Sequence, residues 1–294
     1  MKYIFCLLIT FASVNCFCQE NDLLKGITDS TKSKDFVTGA FKSTRVIMSQ
    51  SIEMLKPGVL DFRILHRFGN VNQGISQFFG LDEATIRLGL DYGISKNFTV
   101  GIGRGSFDKE VDGFLKWRAV QQSAGKSSIP FSLLLVGGTT MVGESWKNLL
   151  PKRSFEHRLS YYFQGIIGRK FNEALTIQLN PTFLHRNLVP TVNDDNNIFA
   201  TGVGGRLKLT KRVSLNVDYY YVFDKPEGSP LHNPLSIGFD IETGGHVFQL
   251  HFTNAVGMNE KVFLTETFND WAKGDIQFGF NISRAFQIKK RKEL

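Results

Sequence analysis

The stretch ATIRLGLDY at residues 84–92 changes between apolar and polar side chains at every position. Its Ala, Ile, Leu, Leu and Tyr share one face of an extended chain, whereas its Thr, Arg, Gly and Asp share the other. Because helix side chains repeat every 3.6 residues, this alternation predicts a β-strand with one apolar face. The same pattern returns at residues 98–104, 213–223, 235–241 and 277–286. The chain is therefore predicted to be all-β.

Twelve such segments are predicted, and most have about the ~10 residues that cross a bilayer as a tilted strand. Residues 130–138 alternate less cleanly than the others, because Leu133–Val136 is a contiguous apolar run. The predicted strands are residues 59–66, 83–92, 97–106, 112–120, 130–138, 157–168, 173–184, 199–209, 213–223, 234–242, 246–254 and 275–286.

The connections between these strands alternate between short and long. Tight turns at residues 93–96, 210–212 and 243–245 take turns with long polar stretches at residues 67–82, 138–156 and 255–273. Barrels of the outer membrane have this asymmetry, with short periplasmic turns and long external loops. We therefore predict a transmembrane up-and-down antiparallel β-barrel of about 12 strands, with both termini in the periplasm. Residues 121–129 should be a periplasmic turn but are not short.

A soluble lipocalin-like barrel has the same alternation with its faces exchanged. Three features favour the membrane. Small soluble barrels close with about eight strands, the polar faces carry charges at mid-strand, and aromatic residues crowd the strand ends as they do at bilayer interfaces. An ordinary sandwich core is the alternative explanation for these aromatics. They are Tyr92, Phe98, Tyr161, Tyr162, Phe199, Tyr219, Tyr221, Phe223 and Phe286.

The N-terminus has the form of a secretory signal, with Lys2 followed by an apolar run at residues 4–14. Cleavage is expected before Gln19, which makes residues 1–18 a signal peptide; acylation of Cys16 or Cys18 as a lipoprotein is the alternative. All three cysteines lie in this segment, so the exported chain is predicted to hold no disulfide or thiolate metal site. The net charge of +8 accompanies no nucleic-acid-binding motif.

The remaining chain is divided into three parts. Residues 19–57 form an N-terminal segment, residues 58–287 the barrel, and residues 288–294 a basic tail. Within the first part, residues 36–50 are expected either to enter the lumen as a plug, with Arg45 meeting an inward carboxylate, or to act as a periplasmic tether. The segment is too short for the folded plug domain of 22-stranded transporters.

The polar strand faces define a predicted lumen. Its basic and acidic side chains are balanced when Asp275 is counted, which fits either the separated charges of a porin constriction or a salt-bridged, blocked barrel. The predicted lumen-facing residues are Asp61, Arg63, Arg87, Asp91, Lys116, Arg118, Arg206, Lys208, Asp218, Asp240, Glu242 and Asn281.

Catalytic motifs are not found. The six histidines show no H-x-x-x-H or H-E-x-x-H spacing, and G-x-S-x-G is missing. We therefore expect no enzymatic activity, no metal site and no cofactor. The expected partners are outer-membrane lipid, the barrel-insertion machinery and a possible small solute, and no nucleic acid.

Several motifs resemble an uncharacterised family of Gram-negative outer-membrane β-barrel proteins, a domain of unknown function. The resemblance extends over residues 36–286 and implies an outer-membrane barrel without implying an activity. It rests on FKSTRVI (41–47), GVLDFRI (58–64), HRFG (66–69), FGLD (79–82), IRLGLDYG (86–93) and DGFLKWR (112–118).

Two functions are consistent with these observations. The first is a narrow channel or binding barrel for a small solute. The alternative is a structural or interaction barrel with a blocked lumen that acts through its external loops. Residues 141–152 and 258–273 are the loops expected to do so, because Trp146 and Trp271 would suit a contact surface, although packing against the barrel rim is equally consistent with them.

Overall fold

A computed structural model describes residues 34–125, 127–143, 154–192, 194–223, 225 and 229–289 of the 294-residue chain. Within these ranges, twelve strands form one closed antiparallel barrel, which confirms the predicted fold class and strand number. The expected signal peptide, the tail beyond residue 289 and Trp146 lie outside the described residues.

Strands that follow one another along the barrel wall are neighbours in the sheet, and the last strand pairs with the first wall strand. This closure leaves no unpaired edge, as a spanning sheet requires. The strands are β1 (Lys34–Phe36), β2 (Val59–Asn70), β3 (Ala84–Gly93), β4 (Phe98–Gly105), β5 (Val111–Val120), β6 (Ser123–Gly125), β7 (Ser132–Met141), β8 (Leu159–Lys170), β9 (Leu175–Arg186), β10 (Asn197–Lys208), β11 (Val213–Val222), β12 (Leu235–Thr243), β13 (His246–Thr253) and β14 (Gln277–Gln287).

Strands β1 and β6 stand apart from the barrel wall and pair with each other. Their pairing explains why the connection from β5 to β7 is longer than a tight turn: β6 lies within it and carries the N-terminal strand. We call the barrel end that bears this small sheet and the turns at residues 94–97, 171–174, 209–212 and 244–245 the terminal rim. The opposite end, which bears the long connections, is the loop rim.

The outer face of the wall is apolar and exposed, as expected for a lipid-facing belt. Leu115, Phe163 and Ile102 are more than half exposed there. Aromatic pairs lie near strand ends, including Phe98 with Trp117, whose ring centroids are 6.2 Å apart. Tyr162 was predicted to belong to these end aromatics, and this is wrong: it is 5% exposed and points into the barrel. Among the described helices, none is long and apolar enough to cross a membrane.

The interior of the barrel is divided into two sectors. Strands β5 and β7–β11 contribute a buried apolar cluster, whereas β12–β14 and β2–β4 present mainly polar side chains and glycine. The contiguous apolar run Leu133–Val136 lies in the apolar sector. Leu134 and Val136 are fully buried inside the barrel, and their neighbours face outward. The apolar wall residues are Phe114, Leu134, Val136, Tyr162, Ile166, Leu184, Ala200, Tyr220 and Val222.

Candidate functional site: the occluded barrel interior

A hairpin of the N-terminal segment lies inside the barrel. The Val46 N–H donates to the Ser49 carbonyl and the Ser51 N–H donates to the Thr44 carbonyl, each at 2.9 Å. Val46, Ile47 and Met48 at the tip are fully buried. We call residues 44–51 the inner hairpin. The structure places it within the lumen, as the plug interpretation of residues 36–50 expected.

The tip of the inner hairpin is held by Asp218 on β11. The Ile47, Met48 and Ser49 N–H groups donate to Asp218 Oδ2 at 3.2, 2.8 and 2.8 Å. The Ser49 hydroxyl donates to Oδ1 at 2.9 Å. Consecutive backbone N–H groups that converge on one anion form a nest. Asp218 itself is fully buried, so its charge depends on these four donors.

Arg45 was expected to meet an inward carboxylate. The structure pairs it with Glu260, at 3.5 Å, and Glu260 belongs to a second segment that enters from the loop rim. Arg45 also donates to the Met48 carbonyl at 2.8 Å. Its guanidinium therefore closes the hairpin and joins the two segments that fill the lumen.

The hairpin backbone receives further hydrogen bonds from side chains of the wall. Lys116 Nζ donates to the Thr44 carbonyl at 3.2 Å and to the Glu53 carbonyl at 2.9 Å. Gln178 donates to the Gln50 carbonyl at 2.7 Å and accepts the Ile52 N–H at 3.0 Å. Side chains of the wall thus form the hydrogen bonds that the backbone of a neighbouring strand would otherwise provide to the hairpin.

The remaining contacts extend around the barrel. Including Asp218, Lys116 and Gln178, side chains from eight of the wall strands touch residues 39–52 in the described part of the chain. The others are Arg206 Nη1 to the Ala40 carbonyl at 3.0 Å, Asn281 Nδ2 to the Ile47 carbonyl at 3.1 Å, Gln249 to the Val46 carbonyl, Arg63 to the Thr44 hydroxyl and Glu242 to Lys42.

Two wall glycines leave room for the hairpin and the residue that follows it. A Cβ atom added at Gly204 would lie 3.0 Å from Val46 Cγ2. One added at Gly168 would lie 2.7 Å from Ile52 Cγ2. Such distances force a neighbour to move, so the missing side chains are part of the fit between the wall and the segment inside it.

The second segment fills the loop-rim half of the lumen. We call residues 254–268 the inner loop; it contains the helix α1 (Glu260–Thr265). Asn259 caps this helix by accepting the Val262 N–H at 3.0 Å. Phe263 is fully buried, and its ring centroid lies 5.1 Å from that of Tyr220 in the apolar sector.

The position of the inner loop corrects one expectation. Under the alternative function, residues 258–273 were expected to act as an external loop, but residues 258–265 are buried inside the barrel. Trp271 lies against the loop rim, where its Nε1 donates to the Leu235 carbonyl at 3.0 Å. Little of this loop is left to present to a partner.

Charged groups tie the inner loop to the loop between β4 and β5. Glu110 accepts from Asn259 Nδ2 at 2.7 Å and from Lys261 Nζ at 2.9 Å, and Lys261 also pairs with Glu266. Burial raises the pKa of Glu110, with Lys261 opposing the shift. Burial likewise raises the pKa of Glu260, with Arg45 opposing. The carboxylates of Glu110 and Glu266 thus surround an ammonium that the chain itself supplies.

The predicted lumen residues lie on the inner face of the wall, and several form pairs. Arg63 contacts Asp61 at 2.6 Å and Asp91 at 3.1 Å. Arg87 makes a bidentate pair with Asp112, at 2.7 and 2.5 Å. Asp112 was missed by the sequence prediction, although it shares the inward parity of Lys116.

Other predicted lumen-facing residues lie at or near the terminal rim or accept a hydrogen bond from a side-chain amide. Arg118 donates to the Lys96 carbonyl of a terminal turn, and Lys208 lies at the terminal-rim end of β10. Asp240 accepts from Gln249 at 2.7 Å. The place predicted for Asp275 is wrong: it precedes β14 and accepts from Asn72 at 2.6 Å on the loop rim.

Sequence comparison assigns this barrel to a known group. The family model for the membrane bound beta barrel domain DUF5777 matches residues 41–286, and the chain belongs to this family. No curated protein matches the chain.

Solved structures that match the chain include a porin and two outer membrane proteins. The NanC porin is 9% identical over 77% of this chain and 98% of its own, with a TM-score of 0.49. The outer membrane protein OmpT of Vibrio cholerae is 9% identical over 78% and 98%, with a TM-score of 0.39. Omp33 of Acinetobacter baumannii is 9% identical over 77% and 97%, with a TM-score of 0.37.

Proposed function

We propose that this membrane-bound barrel is an outer-membrane channel for a small polar solute, closed at rest by its own inner hairpin. One observation carries the proposal: polar side chains of the wall bind the hairpin backbone. Asp218, Lys116 and Gln178 are examples. When the hairpin leaves, water can take over these hydrogen bonds at small net cost. The wall that remains is hydrophilic, as a conducting wall must be.

The two sectors of the interior suggest the route of the solute. The inner loop packs on the apolar sector through Phe263 and Tyr220. Withdrawal of the hairpin would open space along the polar sector, which carries Arg63, Asp240 and Asn281. In this proposal the inner loop narrows the open path and is the constriction, and the paired charges of the wall screen one another along it.

The direction of hairpin movement follows from its attachment. The chain leaves the inner hairpin at both ends towards the terminal rim, where β1 and β2 begin. We propose that this rim faces the periplasm, that residues 1–18 direct export and that the barrel-insertion machinery places the barrel in outer-membrane lipid. The proposed channel uses no catalytic group, metal or cofactor.

Planar-bilayer recording of a truncated chain tests the proposal. A mature chain that begins at Lys56 lacks the inner hairpin but keeps the described barrel strands β2–β5 and β7–β14. We expect discrete conductance steps from this chain at voltages where the full-length protein is mostly silent. Heat-modifiable gel mobility checks that the truncated barrel is folded. A folded but silent truncated barrel would contradict the channel and favour the blocked, structural alternative.

A further inference from the structure

A large cavity opens at the terminal rim, beside the residues that lead from the inner hairpin to β2. Its volume is 1190 Å³, above the roughly 300–1,000 Å³ of pockets for drug-sized ligands. It lies between residues 53–58, the turn at 94–97 and the connection at 121–129. The cavity is therefore distinct from the occluded lumen.

Much of the cavity lining is apolar. Phe36 and Ile94 contribute side chains that are 56% and 55% exposed. Met54, Leu55 and Ile129 add further apolar surface. Apolar surface left open in a concave site favours a ligand with hydrocarbon groups.

The cavity reaches from the inner face of the wall to the outer face. Arg118 lines it from the inner face of β5, whereas Val120, which pairs with the outward-facing Leu133 beyond a bulge, and Tyr92 of β3 belong to the outer, lipid-facing side. Trp117 stacks with Phe98 on that outer face, and such aromatics mark the level of lipid head groups. A ligand can thus enter from the bilayer as well as from water.

The charged residues of the lining are mostly basic: Lys56, Lys96, Arg118 and Lys289 against Glu53. The Glu53 carboxylate is held by the segment that precedes the inner hairpin, because its Oε2 accepts the Ala40 N–H at 2.9 Å. Across the described ranges, the three lysines form no ion pair. The lining therefore places cationic side chains beside apolar surface at the level of the lipid head groups.

We propose that this cavity binds one anionic phospholipid from the adjacent leaflet. The acyl chains would lie on Phe36, Leu55 and Ile94, and the phosphate would lie among the four basic side chains. An anionic head group gains from all four cations, whereas the ammonium of a zwitterionic lipid is repelled by them. The site is thus selective for the charge of the head group.

Lipid binding to the purified full-length protein in neutral detergent tests this inference. Native mass spectrometry would compare phosphatidylglycerol and phosphatidylcholine with identical acyl chains. We expect phosphatidylglycerol to be retained at concentrations at least about tenfold lower. The variant K56Q/K96Q/K289Q should lose this preference. The matched control K211Q/R212Q/K273Q removes three exposed cations outside the lining and should keep it.

Two results would overturn the lipid site. One is an unchanged preference in K56Q/K96Q/K289Q, and the other is equal binding of the two lipids by the wild type. Competition by millimolar inorganic phosphate would identify a phosphate site and also contradict a lipid ligand. Leu55→Gln should weaken retention of phosphatidylglycerol while leaving the charge intact. None of these measurements needs conductance, so their failure is distinguishable from failure of the channel.

Discussion

The two segments that fill the lumen are held in different ways. The inner loop satisfies much of its own backbone: Asn259 caps α1, the Phe263 N–H donates to the Asn259 carbonyl, and the Thr267 hydroxyl donates to the Phe263 carbonyl. The inner hairpin makes two backbone hydrogen bonds within itself and takes most others from wall side chains such as Asp218 and Gln178. Both segments bury apolar side chains, so the difference lies in the backbone.

This difference indicates which segment moves. A backbone bonded to wall side chains can exchange those bonds for water, at a net cost of about 0.5–1.5 kcal/mol each. Leaving would expose buried apolar side chains of either segment, at roughly 1.5–3 kcal/mol each: Phe263 and Leu264 of the inner loop, or Val46, Ile47 and Met48 of the hairpin. The inner loop is also tied to the barrel wall at both ends, by β13 and β14, whereas the hairpin continues into a wall strand only at β2. The hairpin is therefore the gate of the proposed channel, and the inner loop its fixed constriction.

Phe263→Ala should have the largest effect, and that effect should be a loss of folding stability. Removing a buried Phe costs about 3–5 kcal/mol, so we expect a clear fall in the temperature of heat-modifiable unfolding. The reaction of Val46→Cys with a water-soluble maleimide, which reports hairpin withdrawal, should change much less. Phe268→Ala is the control, because Phe268 is 55% exposed. A large rise in labelling without loss of stability would erase the contrast between the segments.

Asp218→Ala should release the inner hairpin. It leaves the Ile47, Met48 and Ser49 N–H groups without their acceptor, at about 1–3 kcal/mol for each buried group left unpaired. We expect Val46→Cys labelling to rise at least about tenfold, since 1.4 kcal/mol is a factor of ten. Asp112→Asn, which weakens a wall pair away from the hairpin, should leave labelling near the wild-type rate. Equal rates in both variants would mean that Asp218 does not hold the hairpin.

Gly204→Ala should displace the hairpin more weakly. The new methyl group meets Gln178 Cγ at 2.9 Å and Val46 Cγ2 at 3.0 Å, and overpacking of this kind costs about 1–3 kcal/mol. The neighbouring Gly205→Ala is a matched control, because a Cβ there has no atom within 4 Å. We expect faster labelling of Ile52→Cys in the first variant alone, measured in the same detergent. A rise in both would point to a general effect on β10.

Glu260→Gln should have the smallest effect, and the effect should depend on pH. Burial raises the pKa of Glu260, so the folded state binds this proton more readily than the unfolded state does. The ionised form therefore lowers stability at neutral pH, and the loss is recovered as pH falls towards the unfolded value near 4.5. We expect wild-type stability to rise relative to Glu260→Gln between pH 7 and 4.5 in thermal unfolding. A difference that is constant over this range would contradict the shift.

The barrel could be predicted from sequence because its signal repeats at every strand. The alternation in residues 84–92 separates an apolar face from a polar face. The inward direction of Arg63, Arg87 and Asp218 follows, because each lies on the polar face of its strand. The run Leu133–Val136 looked like a break in this pattern. It marks the strand whose inner face packs on the buried apolar cluster, where apolar residues are needed on both sides.

The inner loop left no comparable signal. Its helix has six residues, all buried, which is too short for a 3.6-residue period to emerge. The partner of Asp218 was also hidden, because backbone N–H groups are carried by every residue except proline. Arg45 could be assigned to the lumen from its segment, but its contact with Glu260 depends on a second segment that sequence gave no reason to place inside.

A disulfide across the proposed gate tests the central claim most directly. A Cβ at Gly204 lies 3.0 Å from Val46 Cγ2, within the reach of a disulfide between V46C and G204C. The chain has no cysteine after residue 18, so the engineered pair is alone in the described barrel. In planar bilayers, in an Asp218→Ala background that releases the hairpin, we expect silence from the oxidised protein and conductance steps after reduction. Steps in the oxidised state, or silence after reduction with both thiols free, would contradict a channel gated by the inner hairpin.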